Sequence, residues 1–99
     1  MIADTLVLPA PERLVADTRV DFRCQALECL DRLSARGGDA FTIDMRETRE
    51  VDASGLGILV LVHKRARERG MPTRLVRTPK PVRTLLSLTK LDSLFEFES

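Results

Sequence analysis

The stretch Phe41–Ala66, FTIDMRETREVDASGLGILVLVHKRA, decides how the chain is read. Phe41-Thr42-Ile43-Asp44-Met45 alternates apolar and polar side chains, aromatic and β-branched types among them, which is the pattern of a short strand with one buried face. Arg46 to Glu50 is a polar connection. Val51 then leads through Asp52-Ala53-Ser54-Gly55-Leu56-Gly57 into the apolar Ile58 to Val62 and the charged Lys64 to Arg69, so the order is strand, loop, helix. Asp52 and Ser54 are both candidate N-caps, because a short side-chain oxygen can accept from the free amides of a first helical turn. Gly70 stands where a helix commonly closes with a left-handed residue.

Gly55 and Gly57 are the unusual feature. Each glycine costs a helix about 1 kcal/mol relative to alanine, and here two fall in one first turn. Glycine can let the helix sit close to a neighbouring strand. It can equally leave bare backbone beside the Ser54 hydroxyl for a partner to approach. Both readings stand at this point.

Asp52-Ala53-Ser54-Gly55-Leu56-Gly57 resembles the phospho-acceptor motif of STAS domains, the family of bacterial anti-sigma factor antagonists. That motif reads Asp, a small residue, Ser or Thr, Gly, an aliphatic residue, Gly, and it maps here residue for residue. The strand ending in Asp44 and the segment Val82 to Phe97 fit the family as well. The resemblance implies an α/β fold, a single domain over residues 1–99 with a mixed, mostly parallel sheet of four to five strands flanked by helices. It implies a non-enzymatic phospho-switch controlling sigma-factor-dependent transcription. The unmodified protein would bind an anti-sigma factor serine/threonine kinase and be released once Ser54 is phosphorylated. ATP would be bound by the kinase, this chain would need no cofactor, and a phosphatase would reset it. The implied partner surface is Asp44, Asp52, Ala53, Ser54, Gly55, Leu56, Gly57, Ile58, Leu61 and Arg65. STAS domains also serve as constitutive interaction subunits in lipid-transport and signalling complexes, where Ser54 would only cap its helix. A small-molecule or anion-binding module built on the same helix N-terminus is a third class.

Composition agrees with one small globular domain: 99 residues, 43% hydrophobic and 31% charged. The chain has no run of 18 apolar residues, and MIADTLVLPAP lacks a basic n-region and an h-region, so the expectation is a cytoplasmic protein without membrane insertion. Charge is segregated: residues 64–90 carry nine bases (Lys64, Arg65, Arg67, Arg69, Arg74, Arg77, Lys80, Arg83 and Lys90) against the single acid Glu68. Such a run is either a solvated face or a surface that steers an acidic partner. Nucleic acid is disfavoured, because there is no Tyr or Trp and no glycine–aromatic reading motif. Cys24 and Cys29, about 140° apart around a helix, read as reduced packing residues, and one histidine with two cysteines makes no metal cluster.

Around the central stretch, Thr5-Leu6-Val7-Leu8 reads as a first strand, joined through Pro9-Ala10-Pro11 to a short second strand, Arg13-Leu14-Val15, in a hairpin. The family commonly has glycine in that connection, where this chain has prolines. A helix is expected over Thr18–Arg36 with Asp17 as N-cap and Gly37-Gly38 ending it; Phe22, Ala26, Leu27, Cys29, Leu30 and Leu33 form its buried stripe. Thr73-Arg74-Leu75-Val76 is another strand. Thr78 is expected to cap a helix holding Pro79 and Pro81 in its first turn, with Val82, Leu85, Leu86 and Leu88 facing inward. Where the family often has glycine before an aliphatic residue, Lys90 precedes Leu91, and a left-handed conformation there would cost about 1 kcal/mol. A helical turn and a terminal strand close the chain.

Enzymatic readings of Ser54 are weak. A hydrolase elbow needs glycine two residues to either side of the serine, where this chain has Asp52 and Leu56. His63, nine residues on, lies about 13 Å up the same helix and on its opposite side. A dinucleotide fingerprint fails at its third glycine, which is Val60, and the P-loop lysine is absent. On the helix itself Ser54, Ile58, Leu61 and Arg65 share one face, so Ile58 and Leu61 are either covered by a neighbouring helix or form a small apolar docking patch.

Overall fold

Two interior strands, β3 (Phe41–Asp44) and β5 (Thr73–Val76), form the floor on which the rest of the chain is built. The computed structural model describes residues 6–98. Its sheet has the order β1-β3-β5-β6, with β1 (Val7–Pro9) and β6 (Glu96–Glu98) on the edges and every pairing parallel. A second, two-stranded parallel sheet joins β2 (Arg13–Leu14) to β4 (Glu50–Val51). Helices α1 (Arg19–Ala35), α2 (Ala53–Glu68) and α3 (Lys80–Leu88) connect the strands, and a 3-10 turn over Asp92–Leu94 precedes β6. This is the single α/β domain the sequence implies.

Strand alternation decides where the core lies. Leu8, Ile43 and Leu75 are aligned across three strands and buried, as are Phe41 and Thr73 two residues earlier. Val7, Thr42, Arg74 and Glu96 are aligned on the opposite face, where Arg74 reaches both Glu96 and Glu98 at 3.2 Å. All three helices contribute to one core: Phe22, Ala26 and Leu30 from α1, Leu59, Val62 and Ala66 from α2, Val82 and Leu86 from α3. Helices therefore gather on the apolar face, and ion pairs cover the other.

The structure corrects several expectations. β1 and β2 form no hairpin, because β1 pairs with β3 and β2 with β4; the prolines carry the chain from one sheet to the other. Thr5 lies outside the described residues. Asp17 does not cap α1. Thr18 occupies that position, and its hydroxyl is used elsewhere, donating to the Arg13 carbonyl at 2.6 Å and accepting from the Val15 amide at 3.0 Å. Thr78 does not cap α3 either, since Pro79 holds the cap position and the Thr78 Oγ1 is buried without a partner. Leu88 is not inward-facing but 76% exposed, whereas Val82 and Leu86 are buried and Leu85 is half-buried. Lys90 does take the left-handed conformation, at φ 61°, and Gly70 ends α2 at φ 78°.

Segregated charge in the sequence is partly cancelled in the fold. Arg69 pairs with Asp31 of α1 at 2.6 Å, Arg74 with the two glutamates of β6, and Arg77 with Asp44 at 2.6 Å. Arg83 stacks over the Phe97 ring at 4.2 Å. Arg69, Arg74 and Arg77 of the basic run thus serve as cross-element partners for acids carried elsewhere.

Candidate functional site

The Ser54 segment is held by strand β2. Asp52 donates its amide to the Leu14 carbonyl at 3.3 Å, continuing the β2–β4 pairing by one bond. Its carboxylate then does two things: Oδ1 accepts from the Gly55 amide at 2.9 Å and Oδ2 from the Ala16 amide at 3.1 Å. One oxygen caps α2 and the other ties that cap to the turn leaving β2. The Gly55 amide, with help from Ala16, holds the Asp52 carboxyl below the usual carboxylate range.

Of the two candidate caps, the structure selects Asp52. Ser54 lies one residue inside the helix, half-buried, and its hydroxyl makes no hydrogen bond to another described residue. Ala53 before it is exposed.

The two glycines also separate. A Cβ on Gly55 would run into the Leu14 carbonyl oxygen and meet Val51 Cγ1 at 3.0 Å, so the first turn of α2 is pressed onto β2 and β4. Gly57 is exposed, with nothing within 4 Å of the position its Cβ would take. Close internal packing explains Gly55 alone; the bare backbone beside Ser54 is Gly57.

Beyond the motif, Ile58 and Leu61 are half-buried and Arg65 is exposed. Ile58 leans on the core, as does Leu56. The face continuing Ser54 along α2 is therefore neither fully covered nor fully open. Asp44 lies at the carboxyl end of β3. It accepts from the Arg77 guanidinium at 2.6 Å and from the Arg46 amide at 3.0 Å, and these contacts, Arg77 first, lower its pKa. Sequence reasoning did not find Arg77, although it directly follows Val76, the in-register partner of Asp44. Nor did it find Thr48, fully buried in the expected polar connection and donating to the Pro11 carbonyl at 2.9 Å.

His63 is buried on α2, 8% exposed, its ring edge-to-face with Phe95 at 5.7 Å between centroids. Burial, then the charges of Arg67 and Lys64, lower its pKa. Cys24 is exposed and Cys29 half-buried, and burial raises the Cys29 thiol. Among the described residues no group of three or more His, Cys, Asp or Glu is placed to hold a metal ion, and no helix is long and apolar enough to cross a membrane.

Comparisons with known proteins agree with this architecture. The crystal structure of TM1081 from Thermotoga maritima, described as a candidate anti-sigma factor antagonist, is similar with a TM-score of 0.78 at 22% identity, covering 100% of this chain and 82% of that one. The NMR structure of TM1081 gives a TM-score of 0.76 at 22% identity, covering 98% of this chain and 75% of that one. At such identity the likeness is one of fold. No curated protein matches the chain. The family model described as "Mlab, STAS domain" matches residues 4–96, a span that includes the capped Asp52–Gly57 turn and every strand except the last two residues of β6, and the chain belongs to the STAS domain family.

Proposed function

We propose that this protein is an anti-sigma factor antagonist working as a phospho-switch with Ser54 as its acceptor. One observation carries the reading: Asp52 performs the capping that would otherwise account for Ser54, leaving a half-buried hydroxyl with no structural task beside an open glycine. The unmodified protein binds an anti-sigma factor serine/threonine kinase in the cytoplasm, and the kinase supplies ATP. Phosphorylation places nearly two negative charges two residues from Asp52, whose carboxylate is itself held ionised. A partner that desolvates this spot, or brings acidic groups to it, then loses several kcal/mol of docking. A phosphatase restores binding. The domain survives the change, because an anion at a helix N-terminus is favoured by the helix dipole.

The test is binding of the cognate kinase, measured by calorimetry, to the wild type and to Ser54→Asp. The variant is expected to keep the wild-type circular dichroism spectrum and lose at least about tenfold in affinity, which is about 1.4 kcal/mol. Unchanged affinity would remove charge repulsion as the release mechanism.

A second reading is a constitutive interaction subunit, favoured by the family description, which names neither kinase nor sigma factor. Under it Ser54 is never modified, and Ser54→Asp leaves partner binding intact.

A further inference from the structure

The two edges of the four-stranded sheet, β1 and β6, are finished differently. An edge strand offers unpaired backbone groups to any extended chain, and proteins commonly blunt it with charge. β6 carries Glu96 and Glu98, both exposed and both paired with Arg74. β1 carries no charge, and its Val7 is 43% exposed. Ala10 donates its amide to Asp44 of β3, so the alternation of the ladder turns the backbone of Leu8 toward β3 and the N–H and C=O of Val7 away from the sheet. Pro9 blunts only its own position, where the outward N–H is missing.

Helix α1 packs beside this edge and closes a groove with it. Two clefts, of about 330 and 310 Å³, adjoin at Gln25, which lines both. Ala10 and Phe22 floor the first, and Leu6, Leu8 and Cys29 the second, so the surface offered is mostly apolar. The rim is one flank of α1, where Asp21, Gln25, Glu28 and Arg32 recur at spacings of four, three and four. Asp21 and Glu28 are exposed and form no ion pair among the described residues. A free strand edge, an apolar floor and two uncompensated carboxylates thus lie along one groove.

We propose that this groove takes up an extended basic segment of a partner protein, which pairs with β1 as a fifth strand and lays its basic side chains across the groove toward Asp21 and Glu28. Strand addition of this kind draws affinity from main-chain bonds and selectivity from pockets for alternate side chains. On the groove side a lysine stem covers apolar surface while its ammonium reaches a carboxylate. Seven residues of helix separate Asp21 and Glu28 by about 10 Å, between the spacings of about 7 Å and about 13 Å for second and fourth residues along a strand. On the other face of the added strand a β-branched residue meets Val7. An acidic segment meets the same two carboxylates with like charge. The site requires neither Ser54 nor its kinase.

The experiment is an NMR titration of the full-length chain with capped hexapeptides: one alternating lysine and valine, the same peptide fully N-methylated, and one alternating glutamate and valine. The lysine–valine peptide is expected to shift the amides of Val7, Gln25 and Cys29 with a millimolar or tighter Kd. The N-methylated and glutamate peptides are expected to bind at least about tenfold more weakly, because one lacks the main-chain donors and the other the charge. Glu28→Lys, an exposed substitution, should cost at least about tenfold in affinity with an unchanged melting temperature. Val7→Pro removes the outward N–H at an edge position that tolerates proline and should weaken binding too; should it not fold, Glu28→Lys and the N-methylated peptide decide. Equal binding of the glutamate or the N-methylated peptide would overturn the proposal, as would undiminished binding to Glu28→Lys, shifts confined to β6, or no shift at saturating concentration. Shifts of Val7 and Gln25 that follow protein concentration without peptide would assign the groove to a second copy and overturn it as well.

Discussion

The carbonyl of Leu14 lies so close to the backbone of Gly55 that no methyl group fits between them. Gly55→Ala should therefore force the first turn of α2 off β2, at a cost of about 1–3 kcal/mol or more, as for other overpacked sites. Gly57→Ala meets open space and should favour the helix by up to about 1 kcal/mol. Denaturant unfolding of the two variants is expected to give shifts of opposite sign. If Gly57→Ala also weakens kinase binding while stabilising the domain, that glycine is kept for the partner's approach.

Asp52 and Ser54 should likewise separate on mutation. Ser54→Ala removes a hydroxyl that bonds to no other described residue and should leave the melting temperature nearly unchanged. Asp52→Ala removes the acceptor for both Gly55 and Ala16 and should lower it by several degrees. The sign in acid follows from the lowered Asp52 pKa: its contribution is present above the unfolded value near 4 and is lost as pH falls through the folded value. Asp52→Asn should flatten the acid limb of the stability curve.

The motif and the strands were legible because each is a local pattern. The expected strand Thr73–Val76 covers the same four residues that form β5, and Lys90 stands where the family often has glycine, the residue suited to the left-handed conformation it takes. What could not be read was pairing between distant segments. Two-residue strands such as β2 and β4 carry no period, so nothing local showed that Leu14 would receive Asp52. The choice between Asp52 and Ser54 as cap depended on that same contact. Arg77 and Asp44 are 33 positions apart and meet only through the β3–β5 register.

His63, the one histidine of the chain, offers a clean pH test. Its folded pKa is depressed by burial and by Arg67 and Lys64, so the folded state takes up a proton less readily than the unfolded chain. Stability is fully present above the unfolded value of about 6.5 and falls as pH drops from there toward the folded value. Melting temperatures between about pH 7 and pH 5 should fall for the wild type. The His63→Phe variant should show a flatter profile across that window, and an identical slope would mean that another group sets it.

The most direct measurement is site-resolved phosphorylation. The purified chain and its Ser54→Ala variant are incubated with the cognate anti-sigma factor kinase and ATP, and the modified residue is located by mass spectrometry. The expected result is one phosphate on Ser54 of the wild type and none on the folded alanine variant. Phosphate incorporated undiminished into Ser54→Ala, or a wild type that binds the kinase yet is never modified, would contradict the assignment of Ser54 as the switch.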